Sequence, residues 1–227
     1  DYRQAVALLA PYADYITLNI SSPNTPGLRN LQTKQHLTDL LMAGFVGCRE
    51  AGFEPARTST ELKTKPIFLK IAPDLHHDDL AAVVDICVDA GVSGIIATNT
   101  TINRPTGLNG IHAGEAGGLS GGPLFASSTH ILAEVASLSQ NRLGLIGVGG
   151  VSAGWQAYAK ILVGADLVQL YTGLALEGPY LPNRILHELS HMLDNDGATR
   201  FDQIKGQITD PIAAIKHAVG LYQGLSK

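Results

Sequence analysis

The sequence has 227 residues, of which 45% are hydrophobic and 16% are charged, and its formal net charge is −4 at pH 7. This composition is typical of a globular chain of about one domain. The acidic balance, with five Phe, seven Tyr and one Trp, argues against a nucleic-acid partner, which needs a basic face and aromatic stacking platforms. Cys48 and Cys87 have no CxxC partner, so we predict neither a disulfide framework nor a thiolate metal site, and a reducing compartment.

The chain begins at an amphipathic segment, DYRQAVALLAPYAD, which predicts a surface helix rather than a signal peptide. No stretch approaches eighteen uninterrupted apolar residues, so no membrane-spanning segment is predicted. Because the first residue is Asp1 and not Met, we expect further sequence upstream.

Short apolar runs alternate with helical patterns along the chain. The predicted strands are residues 15–20, 67–71, 94–98, 145–148 and 167–171. Each is aliphatic or β-branched on both faces, as in strands covered on both sides. Helical patterns at 76–91 and 128–139 lie between strands, and this alternation favours an α/β fold with a parallel sheet and right-handed crossovers.

Two segments interrupt the alternation of strands and helices. Residues 52–66 are polar and without periodicity, which predicts an irregular loop, and residues 100–124 are long and rich in glycine. Loops of such length inside a compact domain are usually functional or disordered. The sequence shows neither an internal repeat nor a linker, so residues 1–227 are predicted to form one domain.

Polar residues or glycines follow every predicted strand. They are Asn19, Lys70, Asn99, the pair Gly149–Gly150 and the pair Tyr171–Thr172. In (β/α) barrels and doubly wound sheets the carboxyl ends of the strands form the site. This repeated pattern predicts an enzyme that acts on a small molecule.

The segment 145–173 has a glycine turn before a helix and then a strand that ends in Tyr171 and Thr172. Loops after the last two strands of a barrel commonly bind phosphate through backbone N–H groups and a helix N-terminus, and we predict a phosphate site here. The alternative is a tight turn without a ligand. A Rossmann motif is excluded because Ser152 occupies the position of its last glycine.

Lys70 closes the apolar run IFLKI. A lysine is rarely buried without a partner, so its ammonium either lies near an anion, which we favour, or bends out to solvent.

The segment HELSH matches the zinc-protease motif H-E-x-x-H, with His187 and His191 on one helix face and Glu188 as the would-be base. No third ligand follows closely, and the helix belongs to the outer layer. We therefore predict no metal site.

Six segments in order then indicate a family. LNISSPNTPGLRNLQ, FLKIAPD, IIATNTT, EAGGLSGGPL, IGVGGVSAG and LVQLYTGL resemble the class 2 dihydroorotate dehydrogenases. The resemblance implies an FMN-dependent (β/α)₈ TIM barrel that oxidises dihydroorotate to orotate in de novo pyrimidine (UMP) biosynthesis and passes the electrons to a quinone. In the family, helices at the N-terminus form the quinone tunnel and attach the protein peripherally to a membrane, on the cytoplasmic side of the inner membrane in bacteria.

The same resemblance implies which part of the barrel this chain supplies. It corresponds to about the last five β/α units, and we expect the first three strands and the quinone-site helices upstream. Residues 52–66 and the tail after Asn195 depart from the family pattern. Five strands do not close an eight-stranded barrel, so we also expect free strand edges.

The family motifs imply roles for individual residues. Ser22 is the expected catalytic base, with Thr25 or a water as its proton relay, and Lys70 is expected to stabilise negative charge on the flavin. The residues implied in substrate binding are Asn19, Asn24, Asn99 and Thr100. The residues implied in FMN binding are Asn19, Lys70, Thr98, Ser120, Gly121, Gly149, Gly150, Tyr171 and Thr172.

Two other functions remain as alternatives at this stage. One is a non-catalytic barrel fragment that binds a phosphate ligand or a protein partner through an open sheet edge. The remote one is a zinc peptidase, which rests on HELSH alone.

Overall fold

A computed structural model describes residues 1–24, 34–56 and 63–224. Its strands are β1 (Ile16–Asn19), β2 (Glu54–Ala56), β3 (Thr64–Ile71), β4 (Gly94–Ala97), β5 (Gly144–Val148) and β6 (Leu167–Gln169). Its helices are α1 (Tyr2–Leu9), α2 (Lys34–Glu50), α3 (His77–Ala90), α4 (Phe125–Ser139), α5 (Gly154–Leu162), α6 (Thr172–Glu177), α7 (Leu181–Asn195) and α8 (Pro211–Gly224).

All strand pairs in this sheet are parallel. The order is β1-β3-β4-β5-β6, and β2 pairs with the start of β3. Each step from β3 to β6 passes through one helix, as the rule for parallel neighbours requires. The five predicted strands and the predicted parallel α/β sheet are therefore confirmed, with ends that differ by at most three residues.

The segment 52–66 is where the prediction of an irregular loop was wrong. Glu54–Ala56 forms β2, and β3 begins at Thr64 rather than at Ile67, with Glu54 opposite Thr64 and Ala56 opposite Pro66. A three-residue strand is too short to show a hydrophobic period. Its pairing is between backbone groups, which leave no pattern in the sequence. Residues 57–62 lie outside the described part of the chain.

Local sequence explains the ends of α3. Asp78 and Asp79 lie in its first turn, where carboxylates interact favourably with the helix dipole. Gly91 ends the helix in the left-handed conformation, with φ of 77°, and its N–H returns to the carbonyl groups of the last turn.

The strand register divides the sheet into two faces. Leu18, Leu69, Ile95 and Leu145 are in register and belong to the core beneath the helices. Leu18 contacts α2, since a Cβ added to Gly44 would lie 2.9 Å from Leu18 Cδ1. Because side chains alternate along a strand, the next row points to the opposite face. That row is Asn19, Lys70, Ile96, Ile146 and Leu167, and it carries the polar residues toward the inner face of the sheet.

The tail after Asn195 packs back onto α5. The N–H groups of Gly206 and Ile208 donate to the carbonyl groups of Ile161 and Leu162, at 3.2 Å each. Ala214 and Ala218 of α8 are fully buried. This tail is therefore part of the helical layer that supports β5 and β6.

Candidate active site

A cavity of about 460 Å³ lies at the carboxyl edge of the sheet, where β3, β4, β5 and β6 end. Its lining residues are Lys70, Thr98, Asn99, Thr100, Ser120, Gly121, Leu124, Val148, Gly149, Gly150, Val151, Gln169, Leu170, Tyr171, Thr172 and Gly173. The cavity brings together every residue predicted to bind FMN except Asn19. Leu124, Gln169 and Gly173 also line it; they lie inside the quoted motifs, but sequence analysis assigned them no role.

Asn19 joins this cavity through a hydrogen-bond network at the ends of β1, β3 and β4. Asn99 Nδ2 donates to Asn19 Oδ1 at 3.2 Å and to Ser21 Oγ at 3.1 Å. The hydroxyl of Ser21, which is fully buried, donates to the carbonyl oxygen of Lys70 at 2.8 Å. Ser21 therefore stabilises the backbone where β1 ends, and the neighbouring serine has no such bond to β3 among the described residues.

Ser22 is half-buried at the start of the loop after β1. Its Oγ accepts a hydrogen bond from the backbone N–H of Asn24 at 3.3 Å, so its own proton has no acceptor within the part of the chain that the structure describes. Asn24 is exposed. Thr25, the expected relay, lies outside the described residues. Ser22 is not among the residues that line the cavity, and a hydroxyl at the start of this loop is compatible with either a base or a turn-forming role.

Lys70 brings a positive charge into the cavity. Its side chain is half-buried, and desolvation lowers the pKa of its ammonium. Across residues 1–24, 34–56 and 63–224, no carboxylate forms an ion pair with Lys70. A half-buried cation without a counter-charge favours the binding of an anion beside it.

The glycine turn after β5 packs tightly on the start of α4. Gly149 and Gly150 have φ of 117° and 73°, which non-glycine residues rarely adopt. A Cβ on Gly150 would also lie 2.7 Å from the backbone nitrogen of Phe125. In the described residues the N–H groups of Gly149 and Gly150 have no hydrogen-bond acceptor, so both remain available to a ligand.

The remaining wall of this end of the cavity comes from two hydroxyl groups. Thr172 Oγ1 donates to Ser120 Oγ at 3.0 Å and so connects the start of α6 to the loop before α4. Hydroxyl groups and free backbone N–H groups form a donor set suited to a phosphate.

The long loop 100–124 closes over the same edge, and two charged residues hold it. Asp74 accepts hydrogen bonds from Thr101 Oγ1, from the N–H of Ile102 at 3.1 Å and from Asn103 Nδ2 at 3.1 Å. The guanidinium of Arg104 donates to the carbonyl oxygens of Glu115 at 2.7 Å and Gly117 at 2.9 Å. Sequence analysis assigned no role to either residue, because their partners are backbone groups and loop side chains whose positions no periodic pattern predicts.

This loop contacts the segment that carries Ser22. A Cβ on Gly118 would lie 1.9 Å from Thr100 Oγ1 and 2.9 Å from Pro23 Cγ, so only glycine permits this approach. Arg104 thus fixes the position of Gly117, and the adjacent Gly118 packs between Thr100 and Pro23.

Glu188 of HELSH has a structural role. Its Oε2 accepts the N–H of Gly154 at 2.5 Å, at the start of α5, and Oε1 accepts the Tyr222 hydroxyl at 3.4 Å. The rings of His187 and His191 contact each other, with 3.3 Å between their Nε2 atoms. Within the described ranges, no group of three or more His, Cys, Asp or Glu side chains is arranged to hold a metal ion.

A family model described as Dihydroorotate dehydrogenase matches residues 1–193. The chain belongs to the dihydroorotate dehydrogenase family. The resemblance inferred from the six motifs is thereby confirmed, and membership implies a flavin cofactor.

Curated relatives named dihydroorotate dehydrogenase (quinone) agree with the class 2 assignment. The protein of Cereibacter sphaeroides (strain KD131 / KCTC 12085) is 47% identical over 197 residues, which are 87% of this chain and 52% of that protein. The protein of Rhodospirillum rubrum is 45% identical over 197 residues, again 87% of this chain and 52% of that protein. The chain thus spans about half the length of the curated relatives it matches.

Solved structures of dihydroorotate dehydrogenase from Eimeria tenella share the fold. The complex with ferulenol superposes with a TM-score of 0.84 at 33% identity, covering 91% of this chain and 57% of that one. The ligand-free form superposes with a TM-score of 0.83 at 35% identity, covering 91% of this chain and 59% of that one. The parallel sheet of this chain is therefore a partial (β/α) TIM barrel, as expected. Of the helices that the structure describes, none has the length and apolar character needed to cross a membrane.

Proposed function

We propose that this protein oxidises dihydroorotate to orotate with FMN as hydride acceptor and a quinone as final acceptor, in pyrimidine biosynthesis. The observation that carries this proposal is the cavity at the carboxyl edge. It combines the unpaired cation of Lys70, the Asn19–Asn99 network and the free N–H groups of the Gly149–Gly150 turn.

The residues that line the cavity fit FMN. A cavity of about 460 Å³ lies within the ~300–1,000 Å³ range of small-molecule sites. The lining includes phosphate-type donors, namely the N–H groups of Gly149 and Gly150 and the hydroxyls of Ser120 and Thr172. It also includes Lys70, Thr98 and Asn99, which suit a heterocycle. We assign Gly121 and Tyr171, which also line the cavity, to the same cofactor.

The chemistry removes a proton from one carbon of the substrate and a hydride from its neighbour. Bound FMN would supply the hydride acceptor. We assign the proton to Ser22, with Thr25 or a water as the onward relay, because a serine hydroxyl is a weak base unless its own proton can leave. The ammonium of Lys70 would stabilise the negative charge that hydride transfer generates.

Substrate binding is assigned to the amides around this serine. Asn99 Nδ2 donates its hydrogen bonds to Asn19 and Ser21. Asn99 Oδ1 accepts a hydrogen bond from the N–H of Thr100 at 2.8 Å. Asn19 Nδ2 has no acceptor among the described residues and is available to a heterocycle. Asn24 and Thr100 complete the proposed set, since amide and hydroxyl groups can donate and accept together.

We further propose that parts of the protein outside this chain bind the quinone and attach the protein peripherally to a membrane, which in a bacterium is the inner membrane on its cytoplasmic side. The quinone in the names of the relatives supports this assignment.

The test uses the protein in its full natural length. We expect flavin absorption bands, a released cofactor with the mass of FMN, bleaching by dihydroorotate under anaerobic conditions, and recovery on addition of a quinone. Orotate, the product, serves as the control that should not bleach the bands. Absence of flavin after reconstitution with FMN would contradict the proposal, and stoichiometric zinc without a chromophore would favour the peptidase instead.

A further inference from the structure

A second lysine lies behind the glycine turn, and the roles assigned so far do not use it. Lys160 of α5 is fully buried. Its Nζ donates to Ser128 Oγ at 2.9 Å and to Thr129 Oγ1 at 3.2 Å, and it lies 5.4 Å from the ring centre of Phe125. These three partners belong to α4 and are uncharged.

This buried ammonium has no carboxylate partner in the part of the chain that the structure describes. Desolvation accordingly lowers the pKa of Lys160 to about 7. Replacing a buried charge by an apolar group of similar size is often neutral or stabilising, so packing alone gives no reason for a lysine here.

The hydrogen bonds of Ser128 connect Lys160 to the cavity. Ser128 Oγ accepts from the ammonium and lies within hydrogen-bond distance of two carbonyl oxygens, that of Gly149 at 3.0 Å and that of Phe125 in its own helix at 3.1 Å, which share its single proton. The C=O of Gly149 and the N–H of Gly150 belong to one peptide bond, and in a trans peptide these two groups point in opposite directions. A Gly149 carbonyl held toward Ser128 therefore turns the N–H of Gly150 away from Ser128. That N–H belongs to a residue that lines the cavity and has no acceptor among the described residues.

We propose that Lys160 is a positioning residue for the phosphate group of the cofactor, acting from behind the Gly149–Gly150 turn. It orders Ser128, Ser128 holds the Gly149 carbonyl, and the turn thereby presents the Gly150 N–H to the phosphate. The positive charge behind the turn also attracts the anion in front of it. This inference rests on the proposed function, because it concerns the phosphate of FMN.

The test compares FMN with riboflavin, which has the same ring system without the phosphate. Dissociation constants of both are measured for the apoprotein in its full natural length and for Lys160→Met, together with the melting temperature. We expect Lys160→Met to lower the preference for FMN over riboflavin by about tenfold, the effect of losing one nearby charge in a partly desolvated site. Riboflavin affinity should change less than about twofold, and the melting temperature should not fall.

Two further variants make the result specific. Lys216→Met makes the same substitution at an exposed position of α8 and should leave the preference unchanged. Ser128→Ala keeps the lysine but removes the oxygen between it and Gly149, and should reduce the preference by at least about twofold, the loss of one modest hydrogen bond.

The outcomes separate this inference from the proposed function. A wild-type protein that binds neither flavin would overturn both. If the wild-type protein prefers FMN and folded Lys160→Met shows the same preference, this inference alone is overturned. If Lys160→Met does not fold, an unchanged preference for FMN over riboflavin in Ser128→Ala overturns this inference.

Discussion

The side-chain amide of Asn99 donates a hydrogen bond to the side-chain oxygen of Asn19 at 3.2 Å, and so connects the ends of β1 and β4 across β3. Lys70 is the last residue but one of the strand between them, and its carbonyl oxygen accepts from Ser21 in the same network. The loop that carries Ser22 is therefore anchored to the strand that carries the cavity cation.

Ser22→Ala should slow the reduction of bound flavin by dihydroorotate about 100-fold or more, the usual contribution of a general base. Stopped-flow absorbance of the flavin measures this step directly. Ser22→Cys should retain more activity than Ser22→Ala, because a thiolate forms more readily than an alkoxide. Ser21→Ala is the matched comparison, since Ser21 bonds to the Lys70 backbone and should affect stability more than rate. Equal rates in wild type and Ser22→Ala would remove Ser22 from the mechanism.

Lys70→Ala should lower the reduction potential of the bound flavin by about 30 mV or more, which is about 1.4 kcal/mol for a two-electron couple. The reason is that the negative charge gained on reduction loses its counter-charge. Potentiometric titration with a reference dye gives the value, and exposed Lys216→Ala is the control. An unaltered potential in a flavin-loaded Lys70→Ala protein would show that the ammonium does not face the ring.

Arg104→Ala should loosen the loop 100–124, because its guanidinium bonds to the carbonyl groups of Glu115 and Gly117 would be lost. We expect faster proteolysis within the loop and a KM for dihydroorotate raised about tenfold, equivalent to about 1.4 kcal/mol. Arg142→Ala is a matched control, since Arg142 also donates to backbone carbonyls, at the end of α4. Unchanged proteolysis and KM would show that the loop closes without Arg104.

Lys160→Met should raise the free energy of unfolding near pH 7 and flatten its pH dependence. In the folded protein the pKa of Lys160 falls from 10.5 to about 7, so between these values the unfolded chain binds more protons than the folded one. Stability therefore rises with pH across that window, and this contribution is lost as pH falls to about 7.

The groups packed on Lys160 do not obscure this titration. Ser128, Thr129 and Phe125 on α4 and Gly147 on β5 carry no group that titrates in this window. Urea unfolding of apoprotein at several pH values measures the effect. If the free energy of unfolding depends on pH equally in wild type and Lys160→Met, the prediction is contradicted.

Expressed as these 227 residues alone, the protein should aggregate readily and hold FMN weakly. In the described residues β6 pairs only with β5, and Leu167 at this edge is 63% exposed. Unpaired strand edges and exposed apolar side chains favour association, at about 25 cal/mol per Å² of apolar surface. Size-exclusion chromatography and flavin content test this. A monodisperse, cooperatively melting chain with stoichiometric FMN would contradict it.

The sequence by itself determined the alternation of strands and helices, because each buried strand is a continuous apolar run bounded by turn residues. It also determined which residues end each strand, and hence that Asn19, Lys70, Asn99 and the Gly149–Gly150 turn meet at one edge, since parallel strands place their carboxyl ends together. The motifs were specific enough to indicate the family.

Only the tertiary structure decided contacts between residues distant in sequence. Glu54–Ala56 forms a strand because a neighbouring backbone offers pairing, which no hydrophobic period records. Glu188 caps α5 instead of acting as a base, because Gly154 lies beside it. Asp74, Arg104 and Lys160 bond to backbone groups or to neutral polar side chains, and such contacts depend on geometry across the fold rather than on residue type or spacing.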